Sequence, residues 1–264
     1  MSVLRNMDSI LKPLENEFVK SIEQRVSPKN RPKLPESAEG RQSSSSLVLT
    51  EEQAYHNEVF EYASNLIQAI ERLKEMPYYL ARFPNTKTFQ NQGITLHTWI
   101  HYHYSNFLIT GVSIYDTTLL LVNAVFRLGL HPRDCNNRTV TRNRNVHKTS
   151  VWTALKSLDE VTKKYRESRN LYVHRSRNPG LEFLDRLESF RFIQESSESL
   201  NIEAGDPIIH PVIRKELYKL ERRKLIEIVR NETTAISDSV KEVFDALWPI
   251  YQAYTSSFGG KRAN

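Results

Sequence analysis

The sequence predicts an all-α protein: an antiparallel, up-and-down bundle of about five helices carrying an N-terminal extension. Three observations lead there. From Thr50 onward, apolar residues recur at three- and four-residue spacing, while strand-like alternation is almost absent. Prolines and glycines, 11 and 8 in 264 residues, punctuate the periodic stretches. Hydrophobic residues make up 39% of the chain, enough for a real core, and a mean hydropathy of −0.53 is that of a soluble protein.

Residues 26–49 hold Pro28, Pro32, Pro35 and the run Ser43–Ser46, and read as a linker or disordered segment after a short amphipathic piece, "LENEFVKSIEQ". Residues 1–49 are therefore expected to form an extension and residues 50–264 the helical domain. The first helix begins with Thr50 as N-cap, and Glu51 and Glu52 suit the positive end of its dipole. Pro77 and Pro84 should end or bend it. A second helix runs from about Leu96 to Leu130, where Gly129 and Pro132 mark a stop. An arginine-rich polar loop follows, "HPRDCNNRTVTRNRNVHK". The third helix starts near Thr149 or Ser150 and ends before Pro179, because the residue preceding proline is pushed out of the helical region. "LEFLDRLESFRFIQ" is a shorter fourth helix and "GDPIIHP" a turn. The last helix spans about Val212 to Tyr254, with Pro249 placed to kink it.

Several classes are set aside by composition. The apolar stretch "FLITGVSIYDTTLLLVNAVFRLGL" is interrupted by Asp116 and Arg127, so it reads as a buried helix rather than a membrane span. The first residues lack the uninterrupted apolar run of a secretory signal. A single cysteine, Cys135, allows no internal disulfide, which fits a reducing, cytoplasmic setting, and it has no reactive signature nearby. No glycine-rich phosphate loop is present, which removes support for a nucleotide motor or dinucleotide enzyme.

Charge is more informative in its distribution than in its total of +6. Residues 127–148 and residues 163–177 each hold six basic side chains against one acid. Two such clusters on an otherwise mildly acidic chain point to an anionic partner, nucleic acid being the commonest; the alternative is a pair of solvated faces.

The second cluster contains "ESRNLYVHRSRNPG". On a helix at 100° per residue, Val151, Leu155, Leu158, Val161, Tyr165 and Tyr172 share a stripe, and Arg169, four residues after Tyr165, falls on it. An arginine turned toward apolar surroundings needs a partner or a wet cleft. Asn170 and His174 share another face, which Arg177 joins. Arg169 and His174 lie about 140° apart, an arrangement suited to a groove or a two-fold interface. A guanidinium holds phosphate bidentately, an imidazole exchanges protons near neutral pH, and an amide orients either. These groups suffice to drive a ribose 2′-hydroxyl into its own phosphate.

"RNLYVH" resembles the R-N-x-x-x-H form of the R-x4–6-H signature of the HEPN superfamily, all-helical and often dimeric domains. Many are metal-independent endoribonucleases of toxin–antitoxin, phage-defence and RNA-processing systems, with Arg and His from two protomers lining one cleft. The resemblance covers six residues at motif level and about residues 50–264 in architecture. It implies that Arg169, Asn170 and His174 are catalytic, that no metal or cofactor is needed, and that products carry 2′,3′-cyclic phosphate ends. The partners it implies are RNA, a second copy of the chain and an antitoxin protein. Arg142, Arg144, Lys163, Lys164, Arg166, Arg175 and Arg177 are the expected RNA-binding residues. A non-catalytic helical module that binds RNA or protein through a relict motif stays open as the alternative. So does a nucleotidyl-acceptor or toxin subunit neutralised by a second gene product.

Two further features compete for attention. "RNRNVH", Arg142 to His147, repeats the motif in the polar loop without apolar residues inside it, and reads as coincidence or as a substrate-binding loop. In "HTWIHYHY", His97 and His101 are four apart, as zinc ligands can be. Thr98 stands where a metalloprotease helix needs Glu, and no third ligand occurs at helical spacing, so these read as partly buried histidines in an aromatic helix start. Asp116 either pairs with an arginine such as Arg169 or faces solvent.

Overall fold

The computed structural model describes residues 49–177, 180–199 and 209–260. The expected extension over residues 1–49 lies outside them except for Leu49, as do Pro179 and most of "GDPIIHP". The architecture is all-α, a helical bundle. Its helices are α1 (Glu51–Ala81), α2 (Lys87–Asn91), α3 (Leu96–Phe126), α4 (Asn137–Thr141), α5 (Ser150–Arg175), α6 (Glu182–Ser199) and α7 (Pro211–Gly260), with a 3-10 turn at Pro132–Asp134. No strand occurs among the described residues.

The five long helices answer the sequence periodicity, and their ends follow side-chain chemistry. Thr50 caps α1 through a reciprocal pair: its hydroxyl accepts from the Gln53 backbone N–H (3.2 Å) and the Gln53 side-chain Oε1 accepts from the Thr50 N–H (3.0 Å). Thr149 caps α5 by accepting from the Trp152 N–H at 3.3 Å. α3 stops at Phe126, short of the expected Leu130. Arg127 takes a left-handed φ of 52°, and the Leu128 N–H turns back to the Asn123 carbonyl at 3.0 Å, closing a Schellman turn. α6 and α7 both run past their expected limits, to Ser199 and Gly260.

Pro77 does not end α1; the helix continues to Ala81. Proline removes the N–H that would satisfy the Leu73 carbonyl four residues earlier. The Thr233 hydroxyl, on α7, approaches that freed carbonyl at 3.4 Å while bonding to Val229 O at 2.7 Å. A side chain thus softens the backbone defect from outside the helix.

The chain contacts divide into two compact units. The first comprises residues up to Ala69, Ile114–Asp159 and the chain from Asp238; the second comprises Ile70–Ser113 and Glu160–Ser237. α1 and α5 begin in the first unit and end in the second, and α3 and α7 do the reverse, which is the alternation of an antiparallel bundle.

In the first unit, Val59, Leu66, Leu121, Val125, Leu155 and Phe244 are among the fully buried apolar residues. The last carbonyls of α3, orphaned by the helix end, accept from tyrosines: Val125 O from Tyr55 at 3.1 Å and Phe126 O from Tyr254 at 3.3 Å. Tyr251 hydrogen-bonds buried His56 at 2.9 Å. The arginine-rich loop is not featureless. An Asn136–Thr139 capping box starts α4, and buried Val140 and Val146 anchor the loop. Burial, helped by Asp134 and Glu58, raises the Cys135 thiol pKa, which keeps it an unreactive thiol.

In the second unit, Leu73, Leu80, Ile100, Phe107, Val229 and Ile236 pack together in the core. The terminal carbonyls of α1 are again capped by side chains, Tyr79 O by the Trp99 indole at 2.8 Å and Leu80 O by the Arg222 guanidinium at 2.7 Å. His103 is buried between Tyr79 and Trp99, with ring centroids 4.8 and 4.2 Å away. Burial lowers its pKa from 6.5, so the folded protein keeps this imidazole neutral. Below about pH 6.5 the unfolded chain takes up the proton first. Stability is therefore full above that pH and declines as pH falls from there toward the lowered folded-state value. Thermal melts from pH 7 to pH 5 should show this decline, and His103→Phe, which keeps the aromatic slot filled, should flatten it. An unchanged pH slope in the variant would contradict the assignment.

Candidate functional site

The residues around the "RNLYVH" motif occupy the last two turns of α5, in the second unit. The buried stripe of α5 follows the expected pattern through Val151, Leu155, Leu158 and Tyr165. Thr162, rather than the half-buried Val161, continues it. Tyr165 is the pivot. Its ring meets Phe107 of α3 edge-on at 5.4 Å, and its hydroxyl donates to the Glu232 carboxylate on α7. Burial first, then the bond to Glu232, raises the Tyr165 pKa, so the phenol stays protonated and holds this contact.

One turn on, Arg169 is half-buried, as its place on the Tyr165 stripe requires. Its Nε is buried and has no hydrogen-bond partner among the described residues. A buried unpaired donor of a charged group costs about 1–3 kcal/mol or more. Asn170 and His174 are exposed, as is Val173 at 52%. The structure thus presents one partly sunken cation flanked by two exposed hydrogen-bonding groups.

Arg177 does not join the Asn170–His174 face at helical spacing. α5 ends at Arg175 because Ser176 adopts a left-handed φ of 51°, and Arg177 is exposed beyond that turn. Gly180 follows with a φ of +95°, and a Cβ there would lie 2.9 Å from the Tyr104 hydroxyl. Only glycine lets the chain pass Tyr104 and begin α6.

The expected RNA-binding residues divide into two groups. Arg175 and Arg177 are exposed. Lys163 pairs with Glu160 at 2.5 Å and Lys164 with Glu232, so part of this cluster's charge is locally neutralised. Arg166 is half-buried and engaged in contacts of its own. Arg142 and Arg144 are exposed on the anchored loop of the first unit, near His147, whose ring lies edge-on to Trp152 at 5.4 Å. Asp116 is also in the first unit, exposed and engaged in a contact of its own.

Sequence reasoning missed a partner for the paired histidines. Asp185, in the first turn of α6, approaches both: its Oδ1 is 2.6 Å from His101 Nε2 and 3.4 Å from His97 Nε2. His97 Nδ1 lies 3.4 Å from the Tyr218 hydroxyl of α7. Burial and the neighbouring His101 lower the His97 pKa, outweighing the opposing pull of Glu188 and Asp185. Alongside runs a cleft of about 380 Å³ lined by His97, Asp185, Glu188, Ser189, Arg191, Phe192 and Ile193. Burial pushes Glu188 upward, but the hydrogen bonds and charge of Arg191 hold it below its usual range. No helical spacing links Asp185 to the histidines, 84 residues away from His101.

The arginines of the second unit differ in how they are held. Arg222 and Arg191 are tied into the fold, whereas Arg169 Nε is not. Arg169→Met keeps the aliphatic stem and removes the unpaired charge. Its melting temperature should equal or exceed that of the unmodified protein. A fall of several degrees would show that Arg169 is a structural residue.

In comparison with known proteins, a family model described as HEPN_Cthe2314-like HEPN matches residues 43–238. No curated protein matches the chain, and no solved structure does.

Proposed function

The chain belongs to the HEPN_Cthe2314-like HEPN family, and we propose that it is a metal-independent endoribonuclease acting through Arg169, Asn170 and His174. The observation that carries this reading is Arg169, half-buried on α5 with Nε unpartnered among the described residues, one residue before exposed Asn170 and five before exposed His174. Arg169 clamps the scissile phosphate and stabilises the charge that builds on it; preorganised groups of this kind commonly supply about 100–1000-fold in rate. His174 serves as general base on the 2′-hydroxyl or general acid on the leaving 5′-oxygen, help typically worth about 100–10,000-fold. Asn170 orients the imidazole or the ribose. The nucleophile belongs to the substrate, so base, acid and charge stabiliser complete the chemistry without a metal. The products are a 2′,3′-cyclic phosphate and a 5′-hydroxyl.

His174→Ala and Arg169→Ala should each abolish cleavage of single-stranded RNA, with the helical spectrum and RNA binding retained. His147→Ala should cleave as the unmodified protein does, and chelator should have no effect on the rate. Binding should weaken steeply with salt as counterions are released from the exposed arginines. DNA should be bound and left intact. Full cleavage by His174→Ala would overturn the assignment. Salt-sensitive binding without any cleavage would leave an RNA-binding module with a relict motif.

Assembly follows from the same geometry. Arg169 and His174 diverge by about 140° around α5, so one helix does not aim both at one phosphate. A second copy, brought against exposed Val173, would complete the groove by two-fold symmetry. Light scattering at tens of micromolar should give the mass of a homodimer, and Val173→Glu should shift it toward monomer with loss of cleavage. A strict monomer that cleaves RNA would contradict the shared cleft. Action in the cytoplasm, in toxin–antitoxin or phage-defence systems where a second protein restrains the enzyme, is the setting this activity fits.

A further inference from the structure

We propose that His97, His101 and Asp185 form a binding site for a zinc-class divalent cation, with its fourth coordination position open to the adjoining cleft. The site lies in the second unit and joins α3 to α6.

The geometry rests on three donors from two helices. His97 and His101, four apart on α3, stand on one face with ring centroids 4.5 Å apart. Both aim Nε2 at Asp185 Oδ1, and the three donor atoms lie within 4.8 Å of one another. Zinc bonds to imidazole nitrogen and carboxylate oxygen are about 2.0–2.2 Å long, so a tetrahedral site spaces its donors about 3.3 Å apart. The His97–Asp185 separation of 3.4 Å already has that value. The His101–Asp185 separation of 2.6 Å is that of a hydrogen bond. A cation replacing its proton would open this contact by about 0.7 Å, within the reach of side-chain rotation.

The surroundings favour a built site over a chance contact. Tyr218 stands against the far nitrogen of His97, as outer partners that fix a ligand's ring orientation do. Both histidines are half-buried, whereas Asp185 keeps 43% of its side chain exposed, leaving a route from solvent. Glu188, one turn along α6, is held by Arg191 at 2.5 Å and is not available as a fourth ligand. A water then fills the fourth position on the cleft side. Two imidazoles and one carboxylate suit zinc better than calcium or magnesium, which prefer all-oxygen shells. Thr98 and Thr95 cap the helix start and supply no general base, so the cation's expected role is to tie α3 to α6.

The test uses the full-length, untagged protein stripped of metal, without RNA, so that its outcome is separate from that of the ribonuclease assay. Cobalt(II) should bind at one equivalent with the intense visible absorption of a four-coordinate site, and zinc should displace it. Zinc, but not magnesium, should raise the melting temperature. His101→Gln and Asp185→Asn should each weaken cobalt binding at least tenfold, while His147→Ala should not. Asp185→Asn retains an acceptor for His101, so its fold serves as a control for loss of the carboxylate alone. The absence of saturable cobalt binding, or equal affinity in all four proteins, would overturn the site and leave a His–Asp–His hydrogen-bond cluster.

Discussion

Everything in this fold depends on covering α3. Its sequence is long and apolar enough to cross a membrane, with a mean hydropathy of 1.5 over its most apolar window, and 67% of that window is buried in the protein. A helix that apolar on most sides needs neighbours all around it. Leu121, Val122 and Val125 are enclosed in the first unit, and Ile100, Phe107 and Leu108 in the second. Both sites hang on this burial. Phe107 seats Tyr165 and so fixes the turn of α5 that carries Arg169. The polar start of the same helix presents His97 and His101 to Asp185.

The treatment of polar groups gives the burial its meaning. Buried carbonyls at helix ends are met by side chains: Tyr55 and Tyr254 in one unit, Trp99 and Arg222 in the other. Thr233 answers even the carbonyl that Pro77 strands. Arg169 Nε shares its lack of a partner with His103 Nε2 and Ser237 Oγ among the described residues, and of these three groups it alone carries a fixed charge. Local rules that are broken without structural compensation tend to mark function.

Much of this was legible in the sequence, because periodicity and capping are local. Thr50, the start of α5 near Thr149 and the stripe at Val151, Leu155, Leu158 and Tyr165 read correctly, and "RNLYVH" pointed to the family. The misreadings came from conformation that composition does not announce. Arg127 and Ser176 take left-handed conformations usually left to glycine, so α3 ended early and Arg177 left its expected face. The short α4 hid in a polar loop because one capping box and two valines suffice to hold it. Asp185 was invisible as a partner of His97 and His101 because only the folded chain brings α6 to α3.

The most direct test of the proposed activity uses an oligodeoxynucleotide carrying a single ribose, incubated with the protein and resolved by mass spectrometry. Cleavage should occur only at the phosphate 3′ to that ribose, leaving a 2′,3′-cyclic phosphate on one fragment and a 5′-hydroxyl on the other, with the same result in chelator. Cleavage at other positions, or a 5′-phosphate end, would show that the 2′-hydroxyl is not the nucleophile and that Arg169 and His174 do not do this chemistry.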